Sequence, residues 1–518
     1  GYSGSVIFGH AKDGNVHFML TDRFDLPDPQ DRYLRFTEDM VDLVLGEGGS
    51  LKAEHGTGRI MSPYVRRQYG DELYAVMREI KALFDPAGLL NPGVILDDDP
   101  QAHIRHIKTA PPVEPEVDRC VECGFCEPVC PSKDLTTTPR QRIVLRRAME
   151  QARAVGDQSL LAELSREYEY DGIQTCAVDG MCQTSCPVSI NTGDLVKRLR
   201  LESDSRVSDR VWTAAASHWS AATRGASAAL TAAAALPVPV VRGPNRLGRK
   251  VVGPDALPLW SPDLPRGSRR RSRSAPAAGA SDAEPDAVYL PSCVGAIFGP
   301  ADAAAGVQRA FQALCRRAGV SLAVPPQIDS LCCGTPWSSK GHGIGAQLIK
   351  ERVLDALRAA TRDGELPVIC DASSCTEGLR QLAAAAGGAV RVVDAVEFVA
   401  AEVLPRLPAA RKLPSLVLHP TCSSHRLGLD DTLVAVAGAV ADEVLRPISW
   451  GCCAFAGDRG MLHPELTESA TSAQAAEIEA LDGAAHASCN RTCELGMTRA
   501  TGRPYRHLLE LLDEVTRT

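Results

Sequence analysis

The sequence has no run of about 18 or more apolar residues, so no helix is expected to span a membrane. The nearest approach, Val211 to Leu236, is broken by His218, Arg224 and several serines. Aromatic residues are few, at 5%. Positive charge is not in excess either: the formal net charge is −8, which gives no footprint for nucleic-acid binding. What remains is 44% hydrophobic and 23% charged, the balance of a globular protein rather than a disordered one. The 518 residues allow roughly three or four domains.

Cysteine is abundant by contrast, with 18 copies. They fall in tight groups, C-x2-C and adjacent C-C, rather than scattered as in a disulfide framework. Grouped thiols in a long chain point to metal ligation in a reducing compartment, hence a cytoplasmic protein, open to peripheral contact with the inner face of a membrane. The chain starts at Gly1 with a motif that begins at once, so it reads as truncated at its N-terminus.

Four regions follow from composition. Residues 1–96 are mixed α and β. Residues 97–205 hold two cysteine groups joined by helices, with Thr138 as N-cap and Pro139 at the first helical position. Residues 206–285 are an Ala/Pro/Arg-rich linker; its Arg269, Arg270, Arg271 and Arg273 read as solvated, with a lipid or partner contact as the alternative. Residues 286–518 look duplicated, 286–410 and 411–518: VYLPSC in one half answers SLVLHPTC in the other, and each half has a C-C pair further on. Strand–helix alternation makes each half an α/β unit. The expected class is therefore multidomain α+β and α/β, with a helical ferredoxin-type domain and a duplicated cysteine-rich α/β domain.

The first cysteine group is Cys120-x2-Cys123-x2-Cys126-x3-Cys130-Pro131. Three thiolates at these spacings wrap corners of a cubane cluster, and the fourth ligates the other cluster in two-cluster ferredoxins. The second group repeats the pattern with a carboxylate in the second slot: Cys176-x2-Asp179-x2-Cys182-x3-Cys186-Pro187. Crossing the fourth ligands gives Cys120, Cys123, Cys126 and Cys186 for one [4Fe-4S] cluster, and Cys176, Asp179, Cys182 and Cys130 for the other. Carboxylate is a harder, weaker iron ligand than thiolate. The second site then holds a four-iron cluster with an oxygen ligand or a [3Fe-4S] cluster, unless Asp179 faces away. In the C-terminal halves, Cys293, Cys332, Cys333 and Cys375, and Cys422, Cys452, Cys453 and Cys493, are candidate ligands of further clusters. Ala454 stands where the first half has Gly334, so the second turn is expected to differ. Cys315 and Cys370 read as core.

Near the N-terminus, Asp13-Gly14 predicts a two-residue hairpin turn that pairs His10 with His17 on one face. Glu54 would complete a two-histidine, one-carboxylate site with open positions for substrate. The adjacent His55 suits a general base.

GHAKDGNVH, GGSLKAEHGTGR and FDPAGLLNPGVIL together resemble the C-terminal end of flavin-linked D-2-hydroxy-acid dehydrogenases of the vanillyl-alcohol-oxidase-type superfamily. The remainder resembles the iron–sulfur half of large fused D-lactate dehydrogenases, and its tandem halves those of the anaerobic glycerol-3-phosphate dehydrogenase iron–sulfur subunit and heterodisulfide reductase. The resemblance implies FAD, a divalent metal such as Zn or Mn on His10, His17 and Glu54, and His55 as the base that takes the hydroxyl proton while hydride leaves for the flavin. It places Asn91 against the flavin and implies a D-2-hydroxy acid substrate, D-lactate first, with a quinone or cytochrome acceptor. D-2-hydroxyglutarate, met by Lys52 or Arg59, is the alternative substrate; a pure electron-transfer subunit is the alternative function. The family's glycine-rich flavin-binding domain, which precedes this region, is absent from the 518 residues.

Overall fold

A computed structural model describes the chain except for residues 1, 3, 23–26, 53, 106, 108–111, 204, 272–283, 389, 410, 482 and 518. Arg273 lies outside the described residues. The chain divides into two compact units, 1–123 with 146–158, and 124–145 with 159–518.

In the first unit, β1 (Gly4–Phe8) and β2 (His17–Thr21) pair antiparallel. The register differs from the expected one: His17 faces Phe8 rather than His10. β1 stops four residues short of the expected turn and β2 begins two residues after it, because residues 11–13 form a helical turn that ends on left-handed Gly14. The helix Pro27–Gly46 carries Val41 into a small core with Met61 and Tyr64. Tyr64 donates to Glu38 at 2.8 Å and lies 3.3 Å from His103 Nε2. The helix Val65–Phe84 leaves Leu73, Val76, Ile80, Leu83 and Phe84 exposed. At spacings of three, four and one these side chains form one apolar stripe.

The second unit contains two four-stranded parallel sheets. The first holds β3 (Ala287–Leu290), β4 (Leu322–Ala323), β5 (Val368–Cys370) and β6 (Val392–Asp394), in the order β4-β3-β5-β6. The second holds β7 (Leu413–Leu418), β8 (Ala441–Leu445), β9 (Ala485–Ser488) and β10 (Tyr505–His507), in the order β8-β7-β9-β10. Both read 2-1-3-4, so the duplication extends from motif to topology. The order reverses between the first and third strands, and the crevice beyond their carboxyl ends is where such sheets place ligands. The cysteines fall there: Cys293 and Cys375 follow β3 and β5, and Cys422 and Cys493 follow β7 and β9. One core spans both sheets, with Tyr289, Phe311 and Leu314 of the first half among Leu416, Leu433 and Leu512 of the second.

The stretch read as linker is helical over Arg206–Ser217, Trp219–Ala235 and Val238–Val252. Trp212 and Trp219 pack on Trp337, whose indole donates to the Trp212 carbonyl at 2.9 Å. Arg271 is buried, not solvated: it donates to the carbonyls of Pro291 and Leu331 at 3.2 and 3.0 Å. No helix among the described residues is long and apolar enough to cross a membrane.

Candidate metal and cluster sites

The three N-terminal ligand candidates converge despite the changed register. Gly9 permits this, since a Cβ there would meet the Asn15 carbonyl oxygen at 2.1 Å. The loop closes on that glycine, and the His10 amide donates to Asn15 Oδ1 at 2.7 Å. His17 is held at the start of β2 with its ring stacked on Phe8, centroids 5.1 Å apart. Glu54 Oε1 then lies 3.2 Å from His10 Nε2, 2.7 Å from His17 Nε2 and 3.2 Å from His55 Nε2. The His17 contact is short but lacks hydrogen-bond alignment. Lone pairs that crowd without a shared proton suit a cation between them, and one ligand atom from each of His10, His17 and Glu54 lies within 4.8 Å of the others. Asn91 sits exposed in a turn at φ 45°, and Arg59 ties that turn down by donating to the Pro92 carbonyl.

The two cysteine loops share a backbone. Glu122 and Val178, at matching positions, both take positive φ, 59° and 54°. The glycines after Cys123 and Asp179 do so too, Gly124 at 86° and Gly180 at 73°. A β-branched residue at positive φ is an outlier, and here it sits within a ligand loop. Asp179 thus occupies the slot that Cys123 holds in the first loop. Thr138 and Gln141 cap the helix Pro139–Val155 reciprocally, at 3.3 and 2.9 Å.

Cys130, Cys176, Asp179 and Cys182 line one cavity in the second unit. Cys120 and Cys123 belong to the first unit, whereas Cys126 and Cys186 belong to the second. Buried cations surround the cavity. Arg142 donates to Ser132 at 2.9 Å and to the Gly172 carbonyl at 2.8 Å, with Nη1 3.7 Å from Cys130 Sγ. Arg200 donates to the carbonyls of Ile173 and Cys176, and burial with the charge of Arg459 lowers its pKa to about 9. Positive charge beside thiolates favours the more negative, reduced state of a cluster.

Asp179 also reaches the second α/β half. Burial pushes its carboxyl pKa up, opposed by a hydrogen bond from the Cys452 thiol. Its Oδ2 is buried without a hydrogen-bond partner. Arg426 donates to the Asp179 carbonyl at 3.2 Å and pairs with Glu377 at 3.0 Å. It lies flat on Gly180, where a Cβ would meet its Nη1 at 1.4 Å.

In the C-terminal halves the thiols sit together. Cys293 and Cys332 are 3.6 Å apart. Cys333 is held well below the ordinary thiol range by hydrogen bonds from Cys332 and Cys375. Cys375 is pushed up by Cys333 and also bonds Cys370, so Cys370 touches the thiol set as well as the core. The second half repeats the arrangement: Cys453 is lowered by Cys493, while Cys452 is raised by Cys422. Ala454 keeps the turn that was expected to change, with φ 55° against 86° at Gly334. Cys315 is buried in the shared core. Sequence reasoning passed over His419 and Cys489, both buried near the second set. Aligning VYLPSC on VLHPTC would have exposed the first, since Leu290 and His419 occupy the same place.

Three family models match this chain in succession. Residues 4–95 match the C-terminal domain of FAD linked oxidases, residues 116–190 a 4Fe-4S dicluster domain, and residues 287–380 a cysteine-rich domain. An uncharacterized FAD-linked oxidoreductase of Mycobacterium tuberculosis is 40% identical over 90 residues, 17% of this chain and 18% of its own length. The D-2-hydroxyglutarate dehydrogenase of Escherichia coli is 27% identical over 247 residues, covering 37% of this chain and 24% of that protein. The D-lactate dehydrogenase of Archaeoglobus fulgidus is 32% identical over 93 residues, 18% of this chain and 20% of its own length. The chain spans about a fifth of the length of the curated relatives it matches. The FAD-oxidase and iron–sulfur character is therefore carried by separate stretches of one polypeptide.

Proposed function

We propose that this chain is the substrate-metal and electron-relay part of an FAD- and iron–sulfur-dependent D-2-hydroxy-acid dehydrogenase, with D-lactate as substrate and pyruvate as product. The observation that carries this reading is the single carboxylate oxygen of Glu54 facing the imidazoles of His10, His17 and His55. An electron carrier has no use for such a set. His10, His17 and Glu54 hold a divalent ion of the Zn or Mn class, which supplies a Lewis acid for the substrate's carboxylate and hydroxyl. His55, exposed beside them, takes the hydroxyl proton. Asn91 lies on the flavin side. Cys120, Cys123, Cys126 and Cys186, and Cys130, Cys176, Asp179 and Cys182, would hold two clusters that supply single-electron transfer, while bound flavin would supply the two-electron acceptor. The C-terminal halves lead on to a quinone or cytochrome, reached through peripheral contact of the protein with a membrane.

D-lactate-dependent dye reduction by the full-length holoenzyme tests the reading. His55→Ala should lower kcat by about 100-fold or more, and unchanged turnover would remove its role as base. The longer match to the D-2-hydroxyglutarate dehydrogenase favours a second substrate reading. Comparing kcat/KM for the two acids in Lys52→Ala and Arg59→Ala separates them: a loss confined to D-2-hydroxyglutarate marks the residue that meets its second carboxylate.

A further inference from the structure

We propose that the second α/β half holds a single zinc-class metal ion on His419, Cys453 and Cys493, and that the first half has no counterpart to this site. One ligand atom from each of these three buried residues lies within 4.8 Å of the others. No three donors of the first half converge to that distance among the described residues. Donor atoms around one tetrahedral zinc are roughly 3.5–3.8 Å apart, given Zn–S near 2.3 Å and Zn–N near 2.0–2.1 Å. Cysteines on separate irons of a cubane stand further apart. A small closure of the existing triad therefore makes a mononuclear site and would not make a cluster.

The imidazole is prepared for this. His419 is 1% exposed, and its Nε2 has no hydrogen-bond partner of ordinary geometry. Such a buried orphan is unfavourable, and a metal bond removes it. The other ring nitrogen, Nδ1, lies 3.0 Å from the side-chain amide of buried Gln474. Amide oxygen and nitrogen are interchangeable in position. With the oxygen facing Nδ1–H, the Nε2 lone pair is free for the ion, the usual second support of a ligating histidine. Cys453 and Cys493, both buried beside the ring, supply the two sulfurs. In the first half Leu290 occupies the place of His419, equally buried and unable to ligate.

The test uses the full chain, purified anaerobically, in a His17→Ala background that empties the N-terminal site. Metal analysis should find about one zinc per chain. X-ray absorption at the zinc edge should show sulfur near about 2.3 Å together with imidazole nitrogen near about 2.0–2.1 Å. His419→Leu, which copies the first half, should remove that zinc and leave the iron content unchanged. Gln474→Leu keeps the ligands and should weaken retention against a chelator by about 10–100-fold. A zinc shell of nitrogen and oxygen alone would overturn the proposal. So would sulfur-bound zinc that survives His419→Leu, or loss of iron in step with zinc. None of these readouts depends on hydroxy-acid turnover, so the site stands or falls apart from the proposed function.

Discussion

The molecule is duplicated twice, and in both cases the second copy departs from the first. The first cysteine loop has Cys123 where the second has Asp179, and the first α/β half has Leu290 where the second has His419. Backbones are conserved across both exchanges: matching residues take positive φ in the two loops, and Ala454 takes the turn of Gly334. The folded frame is thus common, and the donor atoms are what changed. The altered copies also meet, since Asp179 contacts Cys452 and its carbonyl accepts from Arg426 of the second half. First copies are all-thiol; second copies mix thiols with oxygen or nitrogen donors.

That contrast can be broken most strongly at Asp179. Asp179→Cys gives the second loop the donors of the first, so the second site should keep about four irons in air, where the native site drops to about three. Iron counting and loss of a [3Fe-4S] EPR signal measure it. Next in size is a pH effect. Glu510 and Glu397 are matched glutamates, each three residues after the cap of a helix that follows the last strand: Asp394 caps one and His507 the other. Glu397 pairs with Arg380 at 2.7 Å, whereas Glu510 is buried and raised to about 7 by burial and by the charge of Glu494. A raised carboxyl stabilises the fold below its unfolded value, and that stability is lost as pH climbs from about 4.5 to about 7. The loss is on the order of 3 kcal/mol, and Glu510→Gln should flatten it in unfolding curves taken across that range. Gly180→Ala comes third, because the new methyl displaces Arg426 and takes a positive φ. It should cost about 2 kcal/mol and loosen iron at the second site, read by thermal unfolding and iron retention. The smallest is Ala454→Gly, which makes the two C-C turns alike and should stabilise by about 1 kcal/mol in a denaturant midpoint.

Spacing along the chain made the cluster loops, the duplicated halves and the Thr138 cap legible, because each depends on residues close in sequence. The His10, His17 and Glu54 set was also legible as a set, although the turn between the histidines was not. The helical turn at residues 11–13 and the loop closing on Gly9 change the strand register, and local turn preference does not report that closure. Ala454 shows the converse limit, since a buried site imposed a φ that alanine alone disfavours. Arg271 and Arg426 were illegible for a third reason. Their partners, the Pro291 and Leu331 carbonyls for one and the Asp179 carbonyl for the other, are far along the chain and are backbone atoms without a residue signature.

The apolar stripe on the helix Val65–Phe84 carries a consequence for biogenesis. Leu83 and Phe84 remain more than three-quarters exposed, at 76% and 78%. Until another surface covers them, the first unit presents chaperones and proteases with the mark of an unfinished protein. Burial of that stripe against any covering surface would lower the unit's tendency to aggregate and to be degraded.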